Sequence, residues 1–349
     1  MNEERRIKSL AQWGNRLRED LEKGRLEKTF STAYHRNPWF TPENSKLALK
    51  AICDKFLNEE QLKKLAKEYD LSLQNPLNIG LVMAGNIPMA GFHDLLCVLV
   101  SGHKAIVKLS SKDDTLMPLF LEELYEIEPA FKEQVETVDL LKNFDAVIAT
   151  GSDNSSRYFE YYFGKYPHII RKNRVSAAVL NGGETEEDLR RLGQDIFAYF
   201  GLGCRNVSKL FVPEDYDLQN LFKAFEIYRP VIDHNKYRNN YDFQKSRLLV
   251  NKVDHQDTGF LLFEEVKGDL VSPMATLYYE RVDSNDEAFK ALEEKRENIQ
   301  CVASLDSTDR ALPVVKPGAT QYPGLFDYPD DVDIMKFLTS EIYEASANG

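Results

Sequence analysis

The sequence predicts an α/β protein with two doubly wound α/β domains and an N-terminal helical segment. Short apolar runs alternate with amphipathic helical stretches from about residue 75 onward, and glycine-bearing turns follow several of these runs. A length of 349 residues with 43% apolar side chains is enough for two cores. We place the N-terminal helices and first domain at 1–178, the second domain at 179–311, and an irregular tail that packs across the domains at 312–349.

The first 75 residues are predicted to form helices. Thr41 is suited to be an N-cap, Pro42 to occupy the first helical position, and Glu43 to place an acid in the first turn. The Asn75-Pro76 pair then ends the helical segment.

The first domain is predicted to alternate strands and helices. The strands are expected at 78–84, 104–109 and 145–149, and the helices at 89–101, 113–125 and 154–164. This spacing is typical of a parallel sheet, whose ligands bind at the carboxyl ends of the strands. The turns at 84–86 and 150–152 are therefore candidate ligand contacts.

A second α/β segment begins near residue 176. Strands are predicted at 176–180, 209–212, 260–263, 275–279 and 300–305, and helices at 184–200 and 284–297. Residues 312–330 are rich in proline, glycine and aromatic side chains, which predicts an ordered but irregular connection.

Charge and composition exclude several classes of partner. A net charge of −12 disfavours nucleic acid or an anionic membrane surface as the main partner. No apolar run approaches the ~20 residues that span a bilayer, and the N-terminus has no signal-peptide pattern. We therefore expect a cytoplasmic protein without a membrane span. The four cysteines are widely spaced and form no CxxC motif, so we expect neither a bound metal nor a disulfide framework.

Cys204 is the cysteine whose neighbourhood suggests chemistry. Gly201 and Gly203 allow a tight turn and close approach of a substrate, and Arg205 can favour the thiolate. From these residues alone a buried structural cysteine is an equally good interpretation. Cys97 is predicted to pack in the core.

The remaining candidates have simpler interpretations. Cys53 and Cys301 lie in apolar contexts that also predict packing, and His93 and His103 flank a predicted helix, where capping or packing is expected. No GxGxxG motif follows the first strand, so the usual dinucleotide-binding fingerprint is missing.

The order of several short motifs is more specific than any one of them. They are Asn75-Pro-Leu-Asn-Ile-Gly80, Ala84-Gly-Asn-Ile-Pro-Met89, Gly102-His-Lys-Ala-Ile-Val-Lys-Leu-Ser110, Ala149-Thr-Gly-Ser152, Leu180-Asn-Gly-Gly183 and Gly201-Leu-Gly-Cys204. This succession resembles the aldehyde dehydrogenase superfamily, and within it most closely the LuxC-type fatty acyl-CoA reductases. The resemblance covers about residues 75–305 and implies an aldehyde dehydrogenase-like fold with a nicotinamide cofactor-binding first domain and a catalytic cysteine in the second.

The resemblance implies two catalytic residues. Cys204 takes the place of the nucleophilic cysteine, and Asn86 that of the asparagine whose amide, with the N–H of the cysteine, stabilises an oxyanion. Asn86 in a Gly-Asn-x-Pro turn can also be a simple turn residue. Aligning Gly182 and Gly183 with the family's Glu-Leu-Gly-Gly motif puts Leu180 where hydrolytic members carry a general base.

Without that base, hydrolysis of the acyl-enzyme by water is expected to be slow. Reduction of the acyl-enzyme by hydride needs no such carboxylate and is therefore favoured. Glu184 could substitute for the base, although capping of the following helix is the more plausible role.

The resemblance also implies a cofactor-binding set. It comprises Lys108 for the adenosine ribose, Ser110 and Ser111 near a 2′-phosphate, Thr150, Gly151 and Ser152 near the pyrophosphate, Gly182, and Asp269 for the nicotinamide ribose. Ser111 stands where NAD-selective members often have a glutamate, so NADPH is favoured and NADH stays open. Asp113 and Asp114 weaken that preference, and Glu264 or Glu265 could replace Asp269.

The sequence is thus interpreted as a long-chain fatty acyl-CoA reductase that forms an acyl-enzyme on Cys204. The alternatives are a hydrolytic aldehyde dehydrogenase, and an acyl-accepting subunit of a synthetase–reductase complex without independent turnover. The expected partners are acyl-CoA or another activated acyl donor, an acyl-protein synthetase, and further copies of the chain in a homo-oligomer.

Overall fold

The computed structural model of the chain describes residues 1–71, 75–151, 153–306 and 308–347. The helices in these residues are α1 (Glu3–Glu22), α2 (Glu27–Arg36), α3 (Pro42–Ala51), α4 (Glu59–Glu68), α5 (Phe92–Ser101), α6 (Leu116–Ile127), α7 (Phe131–Gln134), α8 (Asp153–Phe163), α9 (Glu186–Phe197), α10 (Gln219–Phe225), α11 (Asn235–Val250), α12 (Asn285–Glu293), α13 (Ile334–Lys336) and α14 (Ile342–Ala347).

The strands run between these helices. They are β1 (Asn78–Val82), β2 (Lys104–Lys108), β3 (Val135–Thr137), β4 (Ala146–Thr150), β5 (His168–Arg171), β6 (Val175–Val179), β7 (Val207–Pro213), β8 (His255–Asp257), β9 (Leu262–Glu265), β10 (Thr276–Val282), β11 (Ile299–Ser304) and β12 (Val314–Val315). Within the described residues they form a five-stranded sheet and a seven-stranded sheet.

The chain divides into two compact units, residues 1–173 with 323–349, and residues 174–322. The sequence pattern predicted the corresponding boundary after residue 178 and a single tail at 312–349. In the structure, residues 312–322 belong to the second unit and residues 323–349 to the first. That tail was expected to be irregular, yet it contains β12, α13 and α14.

The first unit contains the five-stranded sheet in the order β3-β2-β1-β4-β5, with every strand pair parallel. The central strands are buried and apolar, as expected for a parallel sheet covered on both faces. The Thr41 side chain caps α3 and Pro42 occupies its first turn, which confirms the predicted start of this helix.

The C-terminal segment of the first unit supplies acceptors for two buried histidines. The Nε2–H of His93 donates to the carbonyl of Leu325 at 2.9 Å, and that of His103 to the carbonyl of Leu338 at 2.8 Å. The Nδ1 of His103 accepts the Leu77 N–H at 3.0 Å, so both of its ring nitrogens have partners. Both histidines therefore have packing roles.

The second unit contains the seven-stranded sheet in the order β12-β11-β6-β7-β10-β9-β8, parallel except for the β8–β9 pair. Helices α9 and α10 pack on one apolar cluster with β7, and α12 on another with β6 and β11. Parallel strands covered by helices in both units confirm the predicted α/β fold class.

Candidate active site

Cys204 lies in a short loop between α9 and β7 of the second unit. Of the four cysteines, all within the described residues, Cys204 is exposed and the other three are buried. The chain enters this loop through three residues with left-handed backbone, Tyr199 (φ 52°), Phe200 (φ 58°) and Gly201 (φ 78°). Only glycine adopts this conformation without strain, so other contacts must hold the two aromatic residues in it.

Stacking of Phe200 holds the entrance to the loop. Its ring centroid lies 4.4 Å from that of His234 and 6.1 Å from that of Tyr237, both at the start of α11. The Tyr199 side chain is buried, and burial raises the pKa of its hydroxyl well above the usual range. These two aromatic side chains fix the backbone that leads to Cys204.

Asn206 joins the cysteine loop to the end of α9. Its side chain is 2% exposed, and its amide N–H groups donate to the carbonyls of Asp195 at 3.1 Å and Ala198 at 2.7 Å. Its Oδ1 accepts the backbone N–H of Gly203 at 2.9 Å. One carboxamide therefore satisfies carbonyls at the helix end and fixes the residue before Cys204.

The start of β6 lies directly against the same loop. The Ser176 hydroxyl donates to the carbonyl of Cys204 at 3.2 Å, and the Ser176 N–H donates to the carbonyl of Asn206 at 3.1 Å. The amino end of β6 therefore marks the edge of the sheet on which Cys204 lies.

The structure places Leu180 and Gly182 away from this edge, which corrects the sequence alignment. Leu180 lies four residues after Ser176, about 13 Å farther along the chain direction of β6. Its side chain is 1% exposed and packs in the apolar cluster beneath α9. The glycine pair follows the carboxyl end of β6, so Leu180 does not lie where a base could act on an acyl group at Cys204.

Glu184 shapes the turn that contains those glycines. Its carboxylate accepts the N–H groups of Asn181 at 2.8 Å and Gly182 at 3.1 Å. Thr185 and Asp188, by contrast, form the capping box of α9. The expected helix-capping role of Glu184 thus belongs to Thr185, and Gly182, with φ 82°, is the residue that lets the turn close.

Asp269 is exposed on the loop between β9 and β10. The Ser208 hydroxyl, on the strand after Cys204, donates to the carbonyl of Leu270 at 2.7 Å. The buried Lys209 ammonium pairs with Glu280 at 2.8 Å, and Glu280 also accepts the N–H of Gly268 at 3.0 Å. These contacts tie the Asp269 loop to β7.

The two acids considered in place of Asp269 are engaged elsewhere. Glu264 is buried and accepts a hydrogen bond from Arg247 at 2.9 Å, and Glu265 hydrogen-bonds to Tyr279. Asp269 therefore stays the candidate on this loop.

Asn86 is exposed in the turn that follows β1 in the first unit. A Cβ placed on Gly85 would lie 2.5 Å from the Ser110 hydroxyl oxygen, so glycine is required where the two turns meet. Asp113 holds the far side of the Asn86 turn, because its Oδ2 accepts the Met89 N–H at 2.7 Å. Met89 has φ 56°, a strained conformation that this hydrogen bond helps to hold.

Lys108, Ser110 and Ser111 lie at the carboxyl end of β2, beside that turn. Lys108 is half-buried, and its ammonium forms no ion pair with any residue that the structure describes. Ser110 is half-buried and accepts the Lys112 N–H at 3.3 Å, while Ser111 is exposed. This edge therefore offers a cation and two hydroxyl groups.

Thr150 and Gly151 lie at the carboxyl end of β4, and Ser152 lies outside the described residues. The buried Arg171 guanidinium pairs with Asp94 at 2.6 Å and donates to the Thr150 hydroxyl at 3.3 Å. A Cβ on Gly151 would lie 2.7 Å from the Phe159 ring, so glycine lets α8 begin close to the sheet.

Within the first unit, the structure gathers Lys108, Ser110, Thr150, Gly151 and the Asn86 turn at one edge of the five-stranded sheet. Within the second, the Cys204 and Asp269 loops both contact β7 or its start, and Gly182 lies at the opposite edge.

Sequence reasoning missed the structural roles of three residues that hold the site in place, which are Asp113, Ser176 and Asn206. The local sequence around these residues gave only weak indications of their roles. Asn206 is a turn-forming residue between a glycine loop and an apolar strand, and Asp113 precedes a helix start.

The described residues contain neither a metal centre nor a membrane-spanning helix. In the part of the chain that the structure covers, no group of three or more His, Cys, Asp or Glu side chains is placed to bind a metal ion. No helix there is both long and apolar enough to cross a bilayer.

Solved aldehyde dehydrogenases share this architecture. Aldehyde dehydrogenase 21 from Physcomitrella patens, in complex with the reaction product succinate, is 12% identical with a TM-score of 0.67 over 98% of this chain and 85% of that one. AldA of P. syringae, an indole-3-acetaldehyde dehydrogenase in complex with NAD+ and IAA, is 12% identical with a TM-score of 0.66 over 88% and 73%.

A γ-glutamyl-γ-aminobutyraldehyde dehydrogenase from Burkholderia cenocepacia is 15% identical with a TM-score of 0.64 over 88% of this chain and 72% of that one. At these identities the similarity shows the fold, and it confirms the predicted aldehyde dehydrogenase-like class.

Comparison of the amino-acid sequence with family models identifies the family of this chain. No curated protein sequence matches the chain. The family model described as acyl-CoA reductase (LuxC) matches residues 28–225, a span that includes both Asn86 and Cys204. Since this span covers 198 of the 349 residues, the protein belongs to the LuxC family of acyl-CoA reductases.

Proposed function

We propose that the protein is an NADPH-dependent long-chain fatty acyl-CoA reductase that converts an acyl thioester into an aldehyde through an acyl-enzyme on Cys204. The observation that carries this proposal is the placement of Cys204. It is the exposed cysteine of the chain, it lies on a glycine loop held by Asn206 and Ser176, and it falls within the span matched by the reductase family.

The first half of the reaction is acyl transfer. The Cys204 thiolate attacks the thioester carbonyl carbon, a C–S bond to Cys204 forms, and the C–S bond to coenzyme A breaks. The leaving thiolate takes up a proton. The Cys204 N–H is a proposed donor to the negatively charged carbonyl oxygen, and the family resemblance assigns the Asn86 amide the same role. One such donor contributes about 3–4 kcal/mol to catalysis.

The first unit is suited to bind a nicotinamide dinucleotide. Ligands of parallel sheets bind at the carboxyl edge, where Lys108 offers an ammonium without an ion pair among the described residues. Lys108, Ser110, Ser111, Thr150 and Gly151 would hold the cofactor there. When bound, the cofactor would supply the hydride that reduces the acyl group to an aldehyde, and the C–S bond to Cys204 would break to release its thiolate.

Two contacts support a preference for the 2′-phosphate of NADPH. The acids that follow Ser111 are both engaged: Asp113 is buried against Met89, and Asp114 pairs with Arg36 at 3.2 Å. They therefore oppose a phosphate near Ser111 less than their sequence positions suggested.

Support for reduction over hydrolysis comes from the family match. Leu180 does not bear on this choice, because its side chain lies in the core. Acyl-CoA, another activated acyl donor or an acyl-protein synthetase can each supply the acyl group, and we propose acyl-CoA as the donor and a homo-oligomer as the assembly.

The test is incorporation of a labelled long-chain acyl group from acyl-CoA, with and without NADPH. We expect the label on Cys204 of the wild-type protein, aldehyde on addition of NADPH, and no label in Cys204→Ala while NADPH still binds. Label that survives in folded Cys204→Ala would remove the proposal. Label without NADPH oxidation would indicate an acyl-accepting subunit, and thiol release with free acid would indicate a hydrolytic enzyme.

A further inference from the structure

A chain of polar side chains lies beneath the Cys204 loop. Ser176, at the start of β6, is fully buried, and Cys301, on the neighbouring strand β11, is 1% exposed. The Ser176 Oγ lies 3.2 Å from the Cys204 carbonyl oxygen and 3.2 Å from the Cys301 Sγ. The sequence had suggested nothing beyond packing for Cys301.

The direction of these hydrogen bonds follows from the available protons. A carbonyl oxygen only accepts, so the single hydroxyl proton of Ser176 is directed to Cys204. The Cys301 S–H must then donate to the Ser176 Oγ. Burial raises the pKa of the Cys301 thiol, which keeps this proton in place.

Arg205 is the last member of this series of hydrogen-bonded side chains. Its guanidinium hydrogen-bonds to the Cys301 sulfur, so the order of contacts is Arg205, Cys301, Ser176 and the Cys204 carbonyl. Arg205 follows Cys204 directly. The contacts therefore start and end on the two residues joined by one peptide bond.

We propose that Ser176 and Cys301 are positioning residues for Cys204, which fix its carbonyl and thereby the direction of its N–H and its sulfur. The inference rests on the proposed acyl transfer to Cys204. The peptide group after Cys204 is held by Ser176. The peptide group that carries the Cys204 N–H is held by the Asn206 N–H, which donates to the Gly203 carbonyl at 3.1 Å. With both sides fixed, the Cys204 N–H and sulfur keep the orientation that attack on a carbonyl requires.

Ser304 offers a matched control on the same pair of strands. It is also buried on β11, and its hydroxyl donates across to the carbonyl of Val179 on β6 at 2.9 Å. Ser304→Ala therefore removes a buried serine-to-carbonyl hydrogen bond between the same strands, but at the end remote from Cys204. A packing role alone predicts equal effects for Ser176→Ala and Ser304→Ala.

The experiment compares Ser176→Ala, Cys301→Ala, Cys301→Ser and Ser304→Ala with wild type in single-turnover acylation by a long-chain acyl-CoA. We expect Ser176→Ala to slow acylation about tenfold with the KM for acyl-CoA unchanged. Cys301→Ala should also slow it, whereas Cys301→Ser, which keeps a donor to Ser176, should restore the rate. Ser304→Ala should match wild type in rate.

A second measurement does not depend on acyl transfer. The rate of Cys204 alkylation by iodoacetamide against pH reports on the exposed cysteine, and we expect Ser176→Ala to change this profile and Ser304→Ala to leave it unchanged. Wild-type acylation rates in Ser176→Ala, or equal slowing by Ser304→Ala, would overturn the positioning role of Ser176 and leave the proposed function standing. Absence of acylation in wild type would overturn the proposed function, and the alkylation profiles would still decide the positioning role.

Discussion

The carboxylate of Asp113 accepts the backbone N–H of Met89 at 2.7 Å, so a buried acid after the second strand holds the turn that carries Asn86. Burial, the dominant influence, raises the pKa of Asp113 from an ordinary 3.8 to about 6. A raised pKa in the folded state makes the protonated acid favourable to folding. That contribution is complete below the unfolded-state pKa and is lost as the pH rises through about 6.

We therefore expect Asp113→Asn to gain stability relative to wild type as the pH rises from 4 to 7. The gain is as much as about 3 kcal/mol, since each unit of pKa shift corresponds to about 1.4 kcal/mol. Urea unfolding at several pH values measures it. Asp114→Asn is the control, because that side chain is exposed, and its stability should follow wild type in parallel. Parallel curves for both variants would refute the role given to Asp113.

Asn206→Asp tests the link between α9 and the cysteine loop. The carboxylate would keep an acceptor for Gly203 but would face the carbonyls of Asp195 and Ala198 without donors. We expect a loss of about 2 kcal/mol or more in the free energy of unfolding, measured with urea, and a larger loss of acylation. The exposed Asn239→Asp on α11 should change neither quantity, and equal effects of the two substitutions would contradict the prediction.

The parts of the fold and of the candidate site that could be predicted from the sequence are those that depend on residues close together in the chain. The strand of residues 104–108 was predicted nearly to the residue, because an apolar run records burial locally. The left-handed turn at Tyr199 and Phe200 could not be predicted, since it depends on stacking against His234, far along the chain. Ser176 was missed for the same reason: its partners are 28 and 125 residues away in sequence.

The misplacement of Leu180 has a related cause. A glycine pair is a short motif that many turns share, and only the direction of β6 shows at which end of the strand it lies. Leu180-Asn-Gly-Gly183 belonged to the same ordered series of motifs as Gly201-Leu-Gly-Cys204, so agreement in order alone does not place a motif. The catalytic role of Cys204 stays a prediction.

Lys108→Met tests the cofactor edge of the first sheet. Removal of the ammonium should weaken NADPH binding about tenfold, as expected for loss of a charge-assisted contact. Lys104→Met is the matched control, because Lys104 is the first residue of the same strand and pairs with Glu136 at 3.0 Å. Fluorescence titration with NADPH measures both, and equal weakening would show that Lys108 has no special role.

Ser111→Glu tests the choice between the two nicotinamide cofactors. A carboxylate at this exposed position would repel a 2′-phosphate and could accept both ribose hydroxyls. We expect wild type to prefer NADPH and the variant to lose or reverse that preference, measured as kcat/KM with each cofactor. A wild-type protein that uses NADH equally well would argue against the proposed specificity.

Leu180→Glu should unfold the second unit rather than create a thioesterase. The new carboxyl group would lie in the apolar cluster beneath α9, and we expect a loss of about 3 kcal/mol or more. Leu180→Met, similar in volume, should stay near wild type. Urea unfolding and cofactor-independent thiol release are the measurements. A stable Leu180→Glu protein with rapid thioester hydrolysis would restore the original alignment.

The backward connections of the C-terminal segment constrain the order in which the protein can be completed during synthesis. The buried Asp195 carboxylate accepts three hydrogen bonds from Gly318 and Thr320. His93 and His103 donate to the carbonyls of Leu325 and Leu338. A nascent chain on the ribosome can therefore finish neither unit until these last segments emerge. Release of a chain that ends before residue 318 would leave the buried Asp195 carboxylate without these hydrogen bonds near the end of α9, so quality control should recognise such truncated chains.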